Sequence, residues 1–263
     1  MIRIRASALS DLFDCPARFE AKELRHLHLP PSGAAQLGTA IHASTGAFDA
    51  SSLKGKSLSI EDCAGVLIDV IHKPDEDVAW DDEMGPRDAE DIGLALHRKY
   101  CRDVAPTQRY AAVEVTCERL EITDLDLVLT GTTDRIRRVN DGHGIADLKT
   151  GKTAVGADGS VRLAGHAAQL GVYELLAQEA SGIAIREPAQ IIGLQTGKTA
   201  KAQRIGTAEV GQTRELLVGT PDEPGLLQLA ADIVHSGRFY GNPRSMLCSQ
   251  KYCPAFPTCR FRR

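Results

Sequence analysis

Apolar and polar residues alternate along two neighbouring stretches in the middle of the chain, residues 134–139 and 143–149. Between them stand Asn140, Asp141 and Gly142, which are residue types that favour tight turns. Such alternation is typical of a β-strand with one buried face, and two such strands around a short turn form a hairpin. The pattern therefore predicts a β-hairpin whose two-residue loop is either Asn140-Asp141 or Asp141-Gly142.

Charged residues lie on one face of this predicted hairpin. With the first loop Asp134 lies opposite Asp147, and with the second it lies opposite Lys149. Opposite residues share a face of a sheet, and so do residues two apart on one strand. Both registers therefore bring the three side chains together.

This cluster of charges predicts a metal site. Two adjacent carboxylates repel each other unless a cation lies between them, and hard oxygen ligands suit Mg²⁺ or Mn²⁺. An ammonium group beside such an ion can position and help deprotonate the water that attacks a phosphodiester. The alternative is an exposed hairpin whose Asp and Lys residues form weak surface ion pairs.

Helical and strand patterns alternate along the rest of the chain, which predicts a mixed α/β fold. Val113, Val115 and Cys117 are predicted to face the core, which leaves Glu114 on the opposite face of its strand. The predicted helices are two within residues 7–24, separated by a break at Cys15-Pro16, and residues 59–71, 88–100, 165–182 and 224–235. The further strands are residues 110–117, 191–196 and 205–210.

Composition limits the possible classes of protein. The chain has 263 residues, of which 43% are hydrophobic, and these values fit one globular domain. It contains no apolar run long enough to span a membrane, and its first residues lack the apolar segment of a signal peptide, so we expect a cytoplasmic protein. A net charge of −4 does not indicate a nucleic-acid-binding protein, so contact with DNA requires a local basic patch.

Two short motifs resemble the end of a nucleotide-binding P-loop, Gly151-Lys152-Thr153 and Gly197-Lys198-Thr199. A P-loop needs another glycine five positions before the second one. Ala146 and Ile192 occupy those positions, so the sequence does not predict a nucleotide-driven motor.

The chain contains seven cysteines. With no export signal they are not expected to form a disulfide framework. Cys248, Cys253 and Cys259 lie in a proline-containing segment without periodicity, which needs a metal or cluster to order it. Three thiolates need a fourth ligand for a closed site, and Cys15 is the natural fourth. The remaining three cysteines fall within predicted helices or strands and are interpreted as core thiols.

Several motifs together resemble the PD-(D/E)XK nuclease superfamily, and specifically its RecB-like branch. The hairpin carries two of them, G-x-x-D-R-I around Asp134 and D-x-K-T-G from Asp147. His42 ends a segment similar to the family's G-x-x-x-H helix, and Gln169 with Tyr173 matches its Q-x-x-x-Y motif. The segment around Cys15 is similar to the opening of many RecB-like nucleases.

The resemblance implies a role for each matching residue. His42, Asp134, Asp147 and the Leu148 carbonyl would bind Mg²⁺ or Mn²⁺, and Lys149 would act on the attacking water. For His42 the alternative is an ordinary helix histidine.

Three further residues take roles from the same resemblance. Glu114 would help to hold a metal or its waters, although strand alternation alone predicts an ordinary exposed Glu. Gln169 and Tyr173 would contact the substrate or support the lysine.

The cysteine pattern resembles the iron–sulfur nucleases of the AddB type and their CRISPR-associated relatives. In those proteins four cysteines hold a [4Fe-4S] cluster that joins the ends of the domain. Cys253 and Cys259 match the C-x5-C spacing of that group, but four residues separate Cys248 from Cys253, which is a wider spacing than usual. A Zn²⁺ ion bound by the four cysteines therefore stays an alternative.

The resemblance implies a single nuclease domain over residues 1–263 with a PD-(D/E)XK restriction-endonuclease-like core, a mixed central sheet flanked by helices. Residues 53–106 would form a helical insertion with an acidic loop that points away from DNA or borders its channel. Residues 238–263 form a cysteine-rich tail without acidic residues, which predicts a patch that binds phosphates. The basic residues of this tail are Arg238, Arg244, Lys251, Arg260, Arg262 and Arg263.

The implied function is a metal-dependent DNA exonuclease that acts in recombination, repair or phage DNA processing. Its partner would be DNA with a free end or a single strand, with a helicase or recombinase as a further partner and no membrane. The cell would be a bacterium, or the host if a phage encodes the protein. The alternative is a non-catalytic iron–sulfur subunit that binds DNA within a larger complex.

Overall fold

The computed structural model describes residues 1–56 and 58–262, so Arg263 of the basic tail lies outside the described residues. The strands are β1 (Ile2–Arg5), β2 (Tyr110–Ile122), β3 (Leu127–Val139), β4 (Gly142–Gly151), β5 (Ala189–Gln195) and β6 (Ile205–Val210). The helices are α1 (Leu9–Asp14), α2 (Pro16–Phe19), α3 (Gly33–Leu53), α4 (Ile60–His72), α5 (Pro86–Lys99), α6 (Ala167–Ser181), α7 (Thr213–Val218) and α8 (Leu226–Ser236). No described helix is long and apolar enough to cross a membrane.

The strands form one mixed sheet in the order β1-β3-β4-β5-β6, with β2 paired to β3. The pairs β1–β3 and β4–β5 are parallel, whereas β2–β3, β3–β4 and β5–β6 are antiparallel. Helices cover the sheet, so the mixed α/β class with a central mixed sheet flanked by helices is confirmed.

The predicted hairpin is present as β3 and β4, and its loop is Asn140-Asp141. Val139 pairs with Gly142, and the ladder continues to the pair of Arg135 with Ala146. Asn140 has a φ of 50°, a left-handed conformation that asparagine tolerates better than most residues. The ladder ends at that pair, and its register is the one that aligns Asp134 with Asp147, the first of the two predicted registers.

The sheet divides at Asp134, and this division creates room for a site. Strand β3 pairs with β4 only as far as Arg135, while its pairing with β1 covers Leu127 to Thr130. Between these two ladders β4 turns away to pair with β5. Side chains at the fork are therefore accessible to the helices that pack on the sheet.

Two apolar layers hold the helices on the sheet. On one side α1, α6 and α8 pack together around Leu12, Val172, Leu176 and Leu227. On the other side Leu37 of α3, with side chains of α4 and α5, packs against apolar residues of β4 and β5. The long helices on both sides therefore rest directly on the strands that form the fork.

Two elements, β1 and α7, were not predicted from the sequence. Strand β1 is only four residues long, and it forms because its alternating pattern buries Ile4 when it pairs with β3. Helix α7 is also short, and it packs on α6 through the buried Leu217. Such short segments depend on long-range packing, so their local patterns are weak predictors.

Candidate active site

His42 reaches the fork because α3 packs closely on the sheet. Gly38 and Gly46 lie one turn before and after His42 on the same helix face. A Cβ atom at Gly38 would lie 2.8 Å from Thr150 Oγ1, and one at Gly46 would lie 3.2 Å from Glu114 Oε1. The two glycines thus allow a close approach that brings the imidazole to the hairpin.

The two carboxylates lie at the fork. Asp134 Oδ2 accepts a hydrogen bond from the backbone N–H of Leu148 at 2.8 Å, and its Oδ1 lies 3.3 Å from His42 Nδ1. Asp147 is only 2% exposed. Its Oδ2 lies 2.7 Å from Lys149 Nζ, in an ion pair whose geometry leaves this buried oxygen without an aligned hydrogen bond.

The neighbouring charges separate the pKa values of these groups. Burial raises the pKa of Asp147 to about 6, and Asp134 adds to this effect while Lys149 opposes it. Burial also acts to raise the pKa of Asp134, but His42, Arg135 and the backbone N–H of Leu148 together outweigh it and the net pKa is lowered. Burial opposes protonation of His42, yet Asp134 raises its pKa. The raised pKa of Asp147 shows that its charged form is poorly stabilised, so additional positive charge nearby would stabilise it.

Lys149 is held by a chain of polar side chains from α6. Its Nζ donates to Gln169 Oε1 at 2.9 Å, and Gln169 Nε2 donates to the hydroxyl oxygen of Tyr173 at 3.0 Å. Burial keeps the pKa of Tyr173 well above its usual value, so the phenol stays neutral. The residues of the predicted Q-x-x-x-Y motif thus lie beside the lysine.

Glu114 lies on β2 at the level of Asp134, between the pairs Val113–Arg135 and Val115–Thr133. Its φ of 52° is left-handed, a conformation that costs a non-glycine residue about 1 kcal/mol or more. Burial and the nearby Asp134 raise its pKa. The bent backbone places a further carboxylate at the edge of the site.

Arg135 forms a buried network that sequence patterns did not predict. Its side chain is fully buried and donates to Asp49 at 2.7 Å, Glu114 at 3.1 Å and Thr45 at 3.2 Å. Asp49 also accepts a hydrogen bond from Tyr100 at 2.7 Å. The partners of Arg135 are distant in sequence. The only local signal is therefore an arginine beside Asp134 in a strand whose residues are mostly buried.

The donor set at the fork fits a hard divalent cation. It consists of two buried carboxylates and an imidazole, which are ligands suited to Mg²⁺ or Mn²⁺. Among residues 1–56 and 58–262, no three His, Cys, Asp or Glu side chains are placed so that they already surround one ion. Here His42 contacts Asp134, and Asp147 contacts Lys149.

The structure brings the four predicted cysteine ligands together. Cys15, Cys248, Cys253 and Cys259 line one small enclosed cavity between α2 and the C-terminal tail. All four are free thiols, and Cys15 Sγ accepts a hydrogen bond from the backbone N–H of Asn242 at 3.4 Å. Burial raises the pKa of Cys253, and the proximity of Cys15 adds to this effect. Cys63, Cys101 and Cys117 are buried elsewhere, as predicted for core thiols.

Residues 3–260 match the family model of the PD-(D/E)XK nuclease superfamily. The chain is also similar to the crystal structure of a candidate exonuclease from Eubacterium rectale, with 14% sequence identity and a TM-score of 0.49, over 89% of this chain and 77% of that one. No curated protein matches the chain. The family match spans every strand and helix that contributes a side chain to the site.

Proposed function

The chain belongs to the PD-(D/E)XK nuclease superfamily, and we propose that it is a Mg²⁺- or Mn²⁺-dependent deoxyribonuclease that acts as an exonuclease. A nuclease takes nucleic acid as its substrate, and members of this superfamily usually use these two ions. The observation that carries the proposal is the arrangement of Asp134, Asp147 and Lys149 at the fork of the sheet, with His42 facing them.

The proposed metal ligands are Asp134, Asp147, His42 and the Leu148 carbonyl. The raised pKa of Asp147 supports this assignment, because burial and the neighbouring Asp134 destabilise its charged form even with Lys149 at 2.7 Å, and a divalent cation would stabilise that form. A bound divalent cation would supply a Lewis acid for the phosphate oxygens and for the attacking water. Glu114 would accept hydrogen bonds from water at the edge of the site.

Lys149 and the side chains that hold it in place would position the attacking water. The Lys149 ammonium holds the attacking water and stabilises negative charge on the phosphate. Gln169 limits the positions of this ammonium through its 2.9 Å hydrogen bond, and Tyr173 limits those of Gln169. Side chains that are positioned before the substrate binds need little reorganisation during the reaction.

We assign the protein to the RecB-like branch, with a role in DNA recombination, repair or phage DNA processing and with a helicase or recombinase as partner. The order of the motifs along the chain supports this finer assignment. The substrate would be DNA with a free end or a single strand.

We further propose that Cys15, Cys248, Cys253 and Cys259 hold a [4Fe-4S] cluster. Their convergence on one enclosed cavity supports a shared ligand. An all-thiolate donor set suits a cluster, and it also suits Zn²⁺ as the alternative. The bound group would join the first helices to the C-terminal tail.

The test of the catalytic proposal is digestion of end-labelled linear DNA and of circular DNA by the purified protein with Mg²⁺ or Mn²⁺. We expect loss of the linear DNA, persistence of the circular DNA and no reaction without the metal. Cleavage of circular DNA would replace the exonuclease by an endonuclease. DNA binding without any digestion would favour the non-catalytic subunit.

A further inference from the structure

A groove with a volume of about 710 Å³ lies between the N-terminal helices and the C-terminal tail. It is bordered by α2, by Arg25, by residues 237–240 after α8 and by residues 258–261 of the tail. We call it the tail groove. Among the described residues, none assigned to the Mg²⁺ or Mn²⁺ site lines it, whereas Cys259, one of the four clustered cysteines, does.

The tail groove concentrates positive charge on an acidic protein. Arg25, Arg238 and Arg260 line it and are exposed, whereas Glu20 is the only acidic side chain that lines it among residues 1–56 and 58–262. Within the described part of the chain these three arginines form no ion pair, unlike other arginines such as Arg18. Guanidinium groups without a carboxylate partner can bind phosphate groups without first breaking a salt bridge.

Aromatic rings lie among these charges. Tyr240 is 55% exposed, and Phe239 and Phe261 are half-buried. Phe261 packs on the backbone of Gly241, where a Cβ atom would lie 2.6 Å from Phe261 Cβ, and the Arg260 guanidinium lies 4.7 Å from the centre of its ring. Rings that border a basic groove can stack on nucleobases that are not already paired.

Hydrogen bonds hold the walls of the tail groove in place. The backbone N–H of Ala17 donates to the carbonyl of Tyr240 at 3.0 Å, and the amide of Asn242 donates to the carbonyl of Asp14 at 3.0 Å. The segment that carries Arg238 and Tyr240 is therefore fixed to the N-terminal helices. A fixed groove binds with a smaller loss of conformational entropy.

We propose that the tail groove binds a single-stranded segment of nucleic acid outside the metal site. Arg25, Arg238 and Arg260 contact its phosphates, and Tyr240 stacks on a base. The identification of the ligand as DNA rests on the proposed function. Duplex DNA binds more weakly, because its bases already stack on one another and leave no free face for Tyr240.

The test measures binding of a fluorescent 20-nucleotide oligo(dT) and of a 20-base-pair duplex by anisotropy. The protein carries Lys149→Ala, so that the DNA survives. We expect tighter binding of the single strand. Arg25→Ala/Arg238→Ala should weaken it about tenfold and lower the slope of log K against log[salt] by about 1.4.

Further variants separate charge from stacking. Tyr240→Ala should weaken binding of oligo(dT) about tenfold and leave the salt slope unchanged, whereas Tyr240→Phe should keep the affinity. The matched control for charge is Arg87→Ala/Arg98→Ala, which removes two exposed arginines of α5 and should change little. Each variant should keep the unfolding midpoint of the parent protein.

The results overturn the proposal if the groove and control variants bind oligo(dT) equally well, or if duplex binds as tightly as the single strand. An equal loss of affinity in Arg25→Ala/Arg238→Ala and in the control Arg87→Ala/Arg98→Ala would show that net charge alone is the cause. That result would also overturn the proposal. Failure of the proposed function is seen separately, as absence of digestion by the wild-type protein. Binding in the tail groove does not require that activity.

Discussion

Lys149 places its ammonium group between a buried carboxylate and an amide oxygen, at 2.7 Å from Asp147 and 2.9 Å from Gln169. Under the proposed function this ammonium acts on the attacking water, and its part-exposed side chain contributes little to the apolar core. Arg135 is the opposite case. It is fully buried, and its three side-chain partners lie on α3 and β2.

We predict that Lys149→Ala lowers kcat for DNA digestion about 100- to 1000-fold, the usual effect of removing one group that stabilises charge in the transition state. The affinity for DNA should change little, whereas the free energy of unfolding should fall by about 1–3 kcal/mol, because the buried Asp147 carboxylate loses its ammonium partner. Lys152→Ala is the control, since this exposed lysine pairs with Glu83 outside the site. Digestion by Lys149→Ala at the wild-type rate would make the hairpin a structural feature only.

Arg135→Met should lower the free energy of unfolding by about 3–5 kcal/mol, because it leaves the buried Asp49 carboxylate without its cation. Arg119→Ala, which breaks an exposed ion pair with Glu121, should cost less than about 1 kcal/mol. Urea denaturation of the native protein, Arg135→Met and Arg119→Ala measures both losses in the free energy of unfolding. Similar losses for the two variants would show that the buried network does not stabilise the packing of α3.

The pKa of Asp147, raised by burial to about 6, predicts how metal affinity depends on pH. A metal ligand must be deprotonated, so affinity for Mn²⁺ should be full well above pH 6 and should fall as the pH drops through about 6. Titration calorimetry at pH 5.5 and pH 7.5 measures the change. Asp147→Asn should bind weakly at both values, and an unchanged affinity in the native protein would contradict the assignment of Asp147 as a ligand.

At the scale of elements, α3 and the hairpin form the site only because they approach closely. The helix begins at Gly33 after the Ser32 cap, whose side chain accepts a hydrogen bond from the backbone N–H of Ala35 at 3.2 Å. Its small residues then allow contact with the ends of β2 and β4. Helix α6 supplies Gln169 and Tyr173 from the other side of the fork.

Gly38→Ala tests the close approach of α3. The new methyl group would meet Thr150 Oγ1 at 2.8 Å, so we expect a loss of about 1–3 kcal/mol in the free energy of unfolding and slower digestion as His42 shifts. Thr150→Ala in the same chain removes that oxygen and should restore both quantities. Gly65→Ala on α4 is the control, because nothing lies within 4 Å of its Cβ position and alanine favours a helix. Absence of recovery in the double variant would mean that another contact sets the position of α3.

At the scale of the whole molecule, the two ends of the chain meet. Arg18 donates to Ser245 at 3.1 Å, and Ser245 donates to Asp14 at 2.6 Å. The four clustered cysteines lie beside these contacts. A group bound by them would close a loop of more than 200 residues, and such a closure is favourable only in the folded chain.

Replacing Cys15 or Cys259 with Ser should therefore lower solubility and remove the bound group, and should slow digestion indirectly by releasing the tail. Cys117→Ala should cost only ordinary core packing, about 1–2 kcal/mol. Iron, inorganic sulfide and zinc are measured in anaerobically purified protein. Iron with sulfide supports the cluster, one equivalent of zinc replaces it by a zinc site, and an active protein that contains neither metal would contradict any shared ligand at the four cysteines.

The sequence by itself determined the features that depend on neighbours along the chain. The alternation on both sides of Asn140-Asp141 and the two-residue spacing of Asp147 and Lys149 were sufficient to predict the hairpin and its charged face. The i, i+4 spacing likewise placed Gln169 and Tyr173 on one face of α6. These are short-range consequences of strand and helix geometry.

Only the tertiary structure decided how these pieces combine. It selected one of two hairpin registers and divided the sheet at Asp134. It also joined Arg135 to Asp49, and brought Arg25 and Arg238 to one groove. Such contacts link residues far apart in the chain and depend on how whole layers pack, and no local periodicity carries that information.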